Sequence, residues 1–267
     1  MRTAVIVTTY NRPDALSAVI EGYLAQSDLD FELIIADDGS TQETQALVAS
    51  YQKYAPFSIL HIWHEDTGFR AAAIRNRAIQ ATKVDYIIFT DGDCIPLHTF
   101  VARHKQLAEQ GWFVVGNRVL LAPTFTKDVL EEKIAVHNWH FTDWLTARLR
   151  GQINRLPPLL KLPIARHMQA KRWQGAKTCN LGVWRQDLIR VNGLDETYSG
   201  WGMEDSDLVI RLLHAGIHHK SGRYAAPVLH LWHKENDRSS LQKNIAMLDQ
   251  LIASARIEAQ LGISQYQ

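Results

Sequence analysis

YIIFTDGDCIP, residues 86–96, runs an apolar stretch directly into a turn that carries two carboxylates. Tyr86–Thr90 lacks polar alternation, so both of its faces are expected inside, as in an interior strand of a parallel sheet. Two earlier runs repeat this design. Ala4–Thr8 ends in TTYNRP (8–13) and Phe31–Ala36 ends in DDGST (37–41). Helical patterns over Asp14–Gln26, Thr41–Tyr54 and Ala71–Thr82 separate the runs, and His61–His64 adds a short strand. Pro13 suits the first turn of a helix, and Ser40 with Glu43 three residues on suits an N-cap. This strand–helix alternation predicts a doubly wound α/β domain. Such folds bind ligands beyond the carboxyl ends of their strands, so the three polar clusters should converge on one cleft.

The rest of the chain is consistent with one large domain. Its 267 residues, 46% hydrophobic and 21% charged, can bury a core without a disulfide or structural metal. Cys94 and Cys179 form no CxxC pair, which argues against a zinc ribbon and fits a reducing compartment. Cys94 is expected to fill space beside Asp93. The net charge of +1 gives no reason to expect nucleic acid as partner. No run approaches the ~20 apolar residues needed to cross a bilayer. The expected location is therefore cytoplasmic, or peripheral at the inner face of the plasma membrane.

Charge is uneven, however. Between Trp144 and Gln186 there is no Asp or Glu, whereas Arg148, Arg150, Arg155, Lys161, Arg166, Lys171, Arg172, Lys177 and Arg185 all fall there. A solvated face paired with distant acids would account for some of these. The block as a whole points to an anionic partner, either a phosphorylated acceptor or an anionic membrane surface along 148–185. Just before it, Asp128–Arg150 reads as an aromatic-rich helix, ended by Pro157-Pro158 and Pro163. Farther on, Asn192–Asp195 reads as a turn, Glu204–His214 as a helix, Ala226–Trp232 as a strand and Leu241–Leu261 as a last amphipathic helix.

Four constellations carry chemistry. Asp91 and Asp93 flank a glycine at a strand end and can both turn toward a hard cation, Mn²⁺ or Mg²⁺, that bridges to phosphate. A lone Asp-x-Asp is a common turn, so its place after a buried-type strand is what matters. The stretch Gly200–Asp207, GWGMEDSD, sets Trp201 between glycines and opens a helix with Glu204, Asp205 and Asp207. Helix capping explains one acid there; a general base with a stacking wall for a sugar explains the arrangement. His230 and His233 close a strand, and either could complete a metal site with Asp93. Thr8, Tyr10 and Asp38 offer hydroxyls, a ring and a carboxylate to a nucleobase, with Arg70 and Arg75 as nearby cations. GxxxxGK[ST] and GxGxxG are both absent, which argues against ATP and dinucleotide use.

The order VIVTTYNRP, LIIADDGST, GFRAAAIRNRAI, IIFTDGDCIP resembles the family 2 inverting glycosyltransferases with the GT-A fold. NGLDETYSGWGMEDSDLVIRLLHAG and VLHLWHKEN are similar to the C-terminal segment of β-1,4-galactosyltransferases and chondroitin-polymerase-type enzymes. The resemblance covers roughly 3–125 and 174–240 and implies a mixed sheet flanked by helices; residues 126–173 depart from its pattern and read as a helical basic insertion that carries acceptor specificity, and 241–267 as a C-terminal helix. It implies a nucleotide-binding half at 1–125 and an acceptor and catalytic half at 174–240. By the same resemblance Thr8, Tyr10, Asp38 and Arg70 contact a UDP-sugar, and Asp91 and Asp93 hold its diphosphate and Mn²⁺ (or Mg²⁺). Trp201 and Glu204 shape the sugar pocket, Asp205 is the base, and His230, or His233, is the third metal ligand. The acceptor would be a saccharide or glycolipid. Rival readings are a carbohydrate-binding or inactive relative, and a sugar nucleotidyltransferase, for which TTYNRP is a poor phosphate loop.

Overall fold

A computed structural model describes residues 1–160, 162, 164–235 and 237–266. Lys161 of the basic block and Pro163 of the expected helix break lie outside the described residues. The first half alternates as expected: β1 (Thr3–Thr9), α1 (Pro13–Leu24), β2 (Glu32–Asp37), α2 (Gln42–Gln52), β3 (Ile59–Trp63), α3 (Ala71–Ala81) and β4 (Tyr86–Asp91). Strands β3, β2, β1 and β4 lie side by side in that order, all parallel. The apolar runs are buried on both faces. Val5, Val7, Leu33, Ile35 and Ile88 pack with Leu16, Val19 and Ile20 of α1 on one side, and Ala4, Ile6, Ile34 and Phe89 pack with Ile74 and Ile79 of α3 on the other.

Short elements missing from the sequence reading complete the sheet. After β5 (Cys94–Pro96) and α4 (Phe100–Leu107) come β6 (Trp112–Val115) and β7 (Asn117–Leu120). Farther on, β8 (Asn180–Trp184) inserts antiparallel between β4 and β6, and β9 (His218–Ser221) lies parallel on the edge beyond β6. The seven-stranded sheet is therefore mixed. A second sheet joins β5, β10 (Pro227–His230) and β7, with β10 antiparallel to β5 and parallel to β7. This small sheet brings residue 230 to the turn after β4.

Three local expectations are corrected. The helix read over Asp128–Arg150 is two helices, α5 (Pro123–Glu131) and α6 (Phe141–Leu149), divided at Lys133, whose φ of 52° is left-handed. After α7 (Arg185–Arg190) and α8 (Glu204–His214), the final helix α9 spans Leu241–Ile252 and stops well short of Leu261. Beyond it the chain is drawn back instead to the buried Asp195, which accepts from Arg256 Nη1 at 2.7 Å and from the Gln260 amide at 2.9 Å. Ser40 does not cap α2. Its hydroxyl accepts from the Asn11 amide at 2.8 Å and so ties the β1 exit to the β2 exit.

Candidate active site

The β4 exit is shaped by close approach. A Cβ on Gly92 would stand 2.9 Å from Thr9 Oγ1, so only glycine lets Asp91 and Asp93 flank the end of β1 this tightly. The Gly92 amide donates to Thr8 O at 2.7 Å, and the Leu231 amide donates to Asp93 O at 2.9 Å. The second bond pins the β10 exit to the turn. As a result, Asp93 Oδ2 faces both histidines, with His230 Nε2 at 3.7 Å and His233 Nε2 at 3.4 Å. The ligand atoms of Asp93, His230 and His233 all lie within 4.8 Å of one another. Burial lowers the His230 pKa against the pull of Asp93, which keeps a ring nitrogen free to bind a cation. One carboxylate and two imidazoles suit Mn²⁺ better than Mg²⁺, which favours all-oxygen shells.

The centre of the cleft is Arg75, on α3. Its guanidinium is about 5% exposed and reaches Asp91 Oδ1 at 3.1 Å, Glu204 Oε1 at 3.6 Å and Asp205 Oδ1 at 3.8 Å. Its Nε also donates to Thr8 Oγ1 at 2.9 Å. One buried cation thus gathers acids from β4 and α8. Burial pushes the Asp91 carboxyl up to about 6, with Arg75 opposing and Asp93 and Asp205 adding. Burial pushes Glu204 up to about 7, helped by Asp205 and opposed by Arg75. In the sequence Arg75 stands out only as a neighbouring cation; its place at the centre of the cleft comes from the burial of α3.

Asp205 is held from a second side. Thr178 Oγ1 donates to Asp205 Oδ1 at 2.5 Å, a contact across 27 residues that the sequence did not signal. Asp207, the third acid of the cluster, turns away from the cleft. It is fully buried on Arg211 Nε at 2.5 Å and Arg256 Nη2 at 3.3 Å, and its role is structural. Met203 precedes α8 in a left-handed conformation, φ 78°, with Gly200 and Gly202 also at positive φ. The loop so formed presents Trp201, over whose ring Arg238 lies at 5.2 Å. Buried Asn244 of α9 donates to Ser199 O at 3.2 Å and Gly202 O at 2.9 Å, and so fixes the loop from behind.

The β1 and β2 exits form the far wall. Asp38 is buried; its Oδ1 meets His64 Nε2 at 2.6 Å and its Oδ2 accepts from the Arg70 amide at 2.8 Å. Burial raises its pKa in spite of both contacts. The Arg70 side chain turns to Glu65 O at 2.9 Å, so it is the Arg70 backbone that touches Asp38. Tyr10 is half exposed and donates to Asp66 Oδ2 at 2.8 Å. Gly39, at φ 97°, lets the Asp66 backbone approach closer than any side chain would allow. Thr8, Tyr10, Asp38, Asp91, Asp93, His230 and His233 thus stand at or just beyond the ends of β1, β2, β4 and β10, Arg70 opens α3, and Trp201 comes from the loop before α8.

The family model described as Glycosyl transferase family 2 matches residues 4–160. The chain belongs to this family. A second model, described as the N-terminal domain of galactosyltransferase, matches residues 164–234, which takes in the Trp201–Asp205 loop and His230. The chain is 29% identical over 228 residues to validoxylamine A glucosyltransferase of Streptomyces hygroscopicus subsp. limoneus, covering 80% of this chain and 48% of that one. It is 23% identical over 241 residues to chondroitin synthase of Escherichia coli, covering 82% and 33%. The chain spans about half or less of the length of these relatives. Among solved structures, TarS of S. aureus in complex with UDP aligns with a TM-score of 0.62 at 13% identity, covering 99% and 68%. Mannosyltransferase PcManGT from Pyrobaculum calidifontis, in complex with GDP-Man and Mn²⁺, aligns with a TM-score of 0.63 at 17% identity, covering 94% and 63%. The fold is that of the GT-A glycosyltransferases.

Proposed function

We propose that this glycosyltransferase moves a hexose or N-acetylhexosamine, with inversion, from a UDP-sugar to a saccharide hydroxyl, in bacterial surface polysaccharide or lipopolysaccharide synthesis. The observation that carries this reading is the Arg75 hub. It joins Asp91 on the donor side to Glu204 and Asp205 on the acceptor side, directly beside Asp93, His230 and His233. Tyr10 and Asp38 frame the uracil, Thr8 and the Arg70 backbone line its approach, and Asp91 faces the ribose or the sugar. Asp93, His230 and His233 would hold Mn²⁺, or Mg²⁺, with Asp91 close by. Bound there, the cation offsets charge developing on the UDP leaving group.

Asp205 acts as base. Thr178 and Arg75 both sit on its Oδ1, which leaves Oδ2 to take the acceptor proton. The acceptor oxygen then attacks the anomeric carbon from the face opposite UDP, and holding the two substrates together supplies much of the acceleration. Glu204 and Trp201 position the sugar. The nucleotide-binding half is 1–125, the acceptor half 174–240, and 126–173 belongs to acceptor choice. A panel of UDP- and GDP-sugars with Mn²⁺ tests the reading through nucleotide release. Release from a UDP-sugar that rises with a saccharide acceptor supports it, and turnover of GDP-sugars alone would overturn the uridine assignment.

A second reading concerns location. Among the described residues no helix is long and apolar enough to cross a membrane. On α6, Phe141, Leu145 and Leu149 follow one another at four-residue spacing and are 49%, 42% and 81% exposed, beside Arg148 and Arg150. An apolar stripe with flanking cations fits peripheral attachment to an anionic membrane surface. Sedimentation with phosphatidylglycerol vesicles, compared between the wild type and Leu149→Glu over a salt series, tests it.

A further inference from the structure

The acid-free stretch has a use that the donor chemistry does not explain. A cavity of about 150 Å³ opens where the chain passes from β6 to β7. Its walls carry Arg118 of β7, Arg155, Arg172, Lys177 and, from the turn between β9 and β10, Arg223. Three of these five cations belong to the Trp144–Gln186 block. Folding brings them to two more cations from distant segments, and brings no acid with them. Among the described residues none of the five lies within 4.0 Å of a carboxylate oxygen. Gathering like charges around one concave space opposes folding unless an anion occupies it.

The cavity shares its floor with the reaction centre. Arg118 is paired with Val228, two residues before His230 on the same strand. Lys177 immediately precedes Thr178, whose hydroxyl holds Asp205. Cys179, also on the cavity wall, is followed by Asn180 at the start of β8. A group seated here therefore lies on the Asp205 side of the cleft, away from Tyr10 and Asp38. Asn117, another wall residue, keeps its Oδ1 buried without a hydrogen-bond partner. That atom can only accept, so it calls for a hydroxyl rather than a second anion. Guanidinium forks beside an unpaired acceptor match a sugar that carries a phosphate.

We infer that this cavity is an oxyanion subsite for the acceptor, taking a phosphate group borne close to the hydroxyl that is glycosylated. The inference rests on the proposed glycosyltransferase reading for its place in the reaction, and its test separates the two. Binding of inorganic phosphate is measured by calorimetry at constant ionic strength, with UDP and Mn²⁺ saturating so that the donor site is filled. One phosphate per chain is expected, and K177Q/R223Q should weaken it tenfold or more. Both residues are exposed, so folding should survive, and K127Q/K243Q on remote surface serves as control. Hexose 6-phosphate and phosphatidylglycerol vesicles are then added as competitors. Displacement by the first assigns a soluble phosphosaccharide, and displacement by vesicles alone assigns a lipid-borne phosphate. No phosphate binding, equal binding by K177Q/R223Q, or displacement by neither competitor overturns the inference. UDP affinity is measured separately. Its absence alongside intact phosphate binding would sink the donor reading and leave the cavity standing as an anion site.

Discussion

Thr178 donates its hydroxyl to Asp205 Oδ1 at 2.5 Å, across the gap between β8 and α8. The contact decides which carboxylate oxygen stays available. Asp205→Asn is expected to lower transfer by roughly a thousandfold, the usual scale for loss of a general base, while UDP affinity changes little. Thr178→Val removes the orienting bond but keeps the volume, and should lower kcat about tenfold with Thr178→Ser restoring most of it. Parallel loss of UDP binding and transfer in Asp205→Asn would remove the base assignment.

Metal dependence follows from Asp93 facing two imidazoles. Asp93→Ala should abolish Mn²⁺-dependent UDP binding. His230→Ala and His233→Ala should each weaken it by about tenfold, or roughly 1.4 kcal/mol, and the double variant should match Asp93→Ala. Calorimetry of UDP with Mn²⁺ and with chelator checks this. Full UDP affinity in chelator would refute the cation's role, and a silent His233→Ala would leave His230 as the sole imidazole ligand.

How much of this was legible depended on whether a residue's neighbours lie close in sequence. The strands β1, β2 and β4 showed themselves because burial on both faces leaves an unbroken apolar run, and Asp91, Asp93 and Asp38 followed from standing at their ends. Arg75 did not. A helix periodicity reading sends an arginine to solvent, but α3 is buried all round from Ala71 to Asn76. Three alanines in a row are the available signal, since they let a helix pack closely and so trap whatever charge comes next. Thr178 and Asn244 act through contacts 27 and 42 to 45 residues away, and no local pattern marks such a partner. Strands β5 to β9 run three to five residues and are too short for any period to show.

Glu204 gives a pH prediction. Its folded pKa, about 7, stands above the ordinary carboxylate value because burial disfavours the charge. The folded state therefore binds this proton more tightly than the unfolded chain. The associated stability is fully present below about pH 4 and is lost as pH rises through 7. Glu204→Gln, which cannot ionise, should melt higher than the wild type at pH 8 in chelator, by about 3 kcal/mol or several degrees. The difference should shrink as pH falls and vanish at about pH 4. A variant less stable than wild type at both values would mean that the Arg75 contact outweighs the burial cost.

Asn244 offers a way to disturb the acceptor side while sparing the donor side. Its amide is the donor for Ser199 O and Gly202 O, the carbonyls that bracket Trp201. Asn244→Leu keeps the size but leaves two loop carbonyls short of a donor, at about 1–3 kcal/mol for each one that water cannot reach. The melting temperature should fall by several degrees, since 1 kcal/mol is worth about 2–4 °C in a chain of this size. More tellingly, the acceptor KM should rise, because Trp201 no longer has one position, while UDP affinity, set on β1, β2 and β4, should hold. Leu248→Ala on the same helix is the control. It removes buried contact with Ile210 and Leu251, against which Met203 also packs, but leaves the Asn244 bonds to Ser199 O and Gly202 O in place. If Leu248→Ala at equal loss of stability raises the acceptor KM as much, general loosening of α9 accounts for the effect and Asn244 has no positioning role.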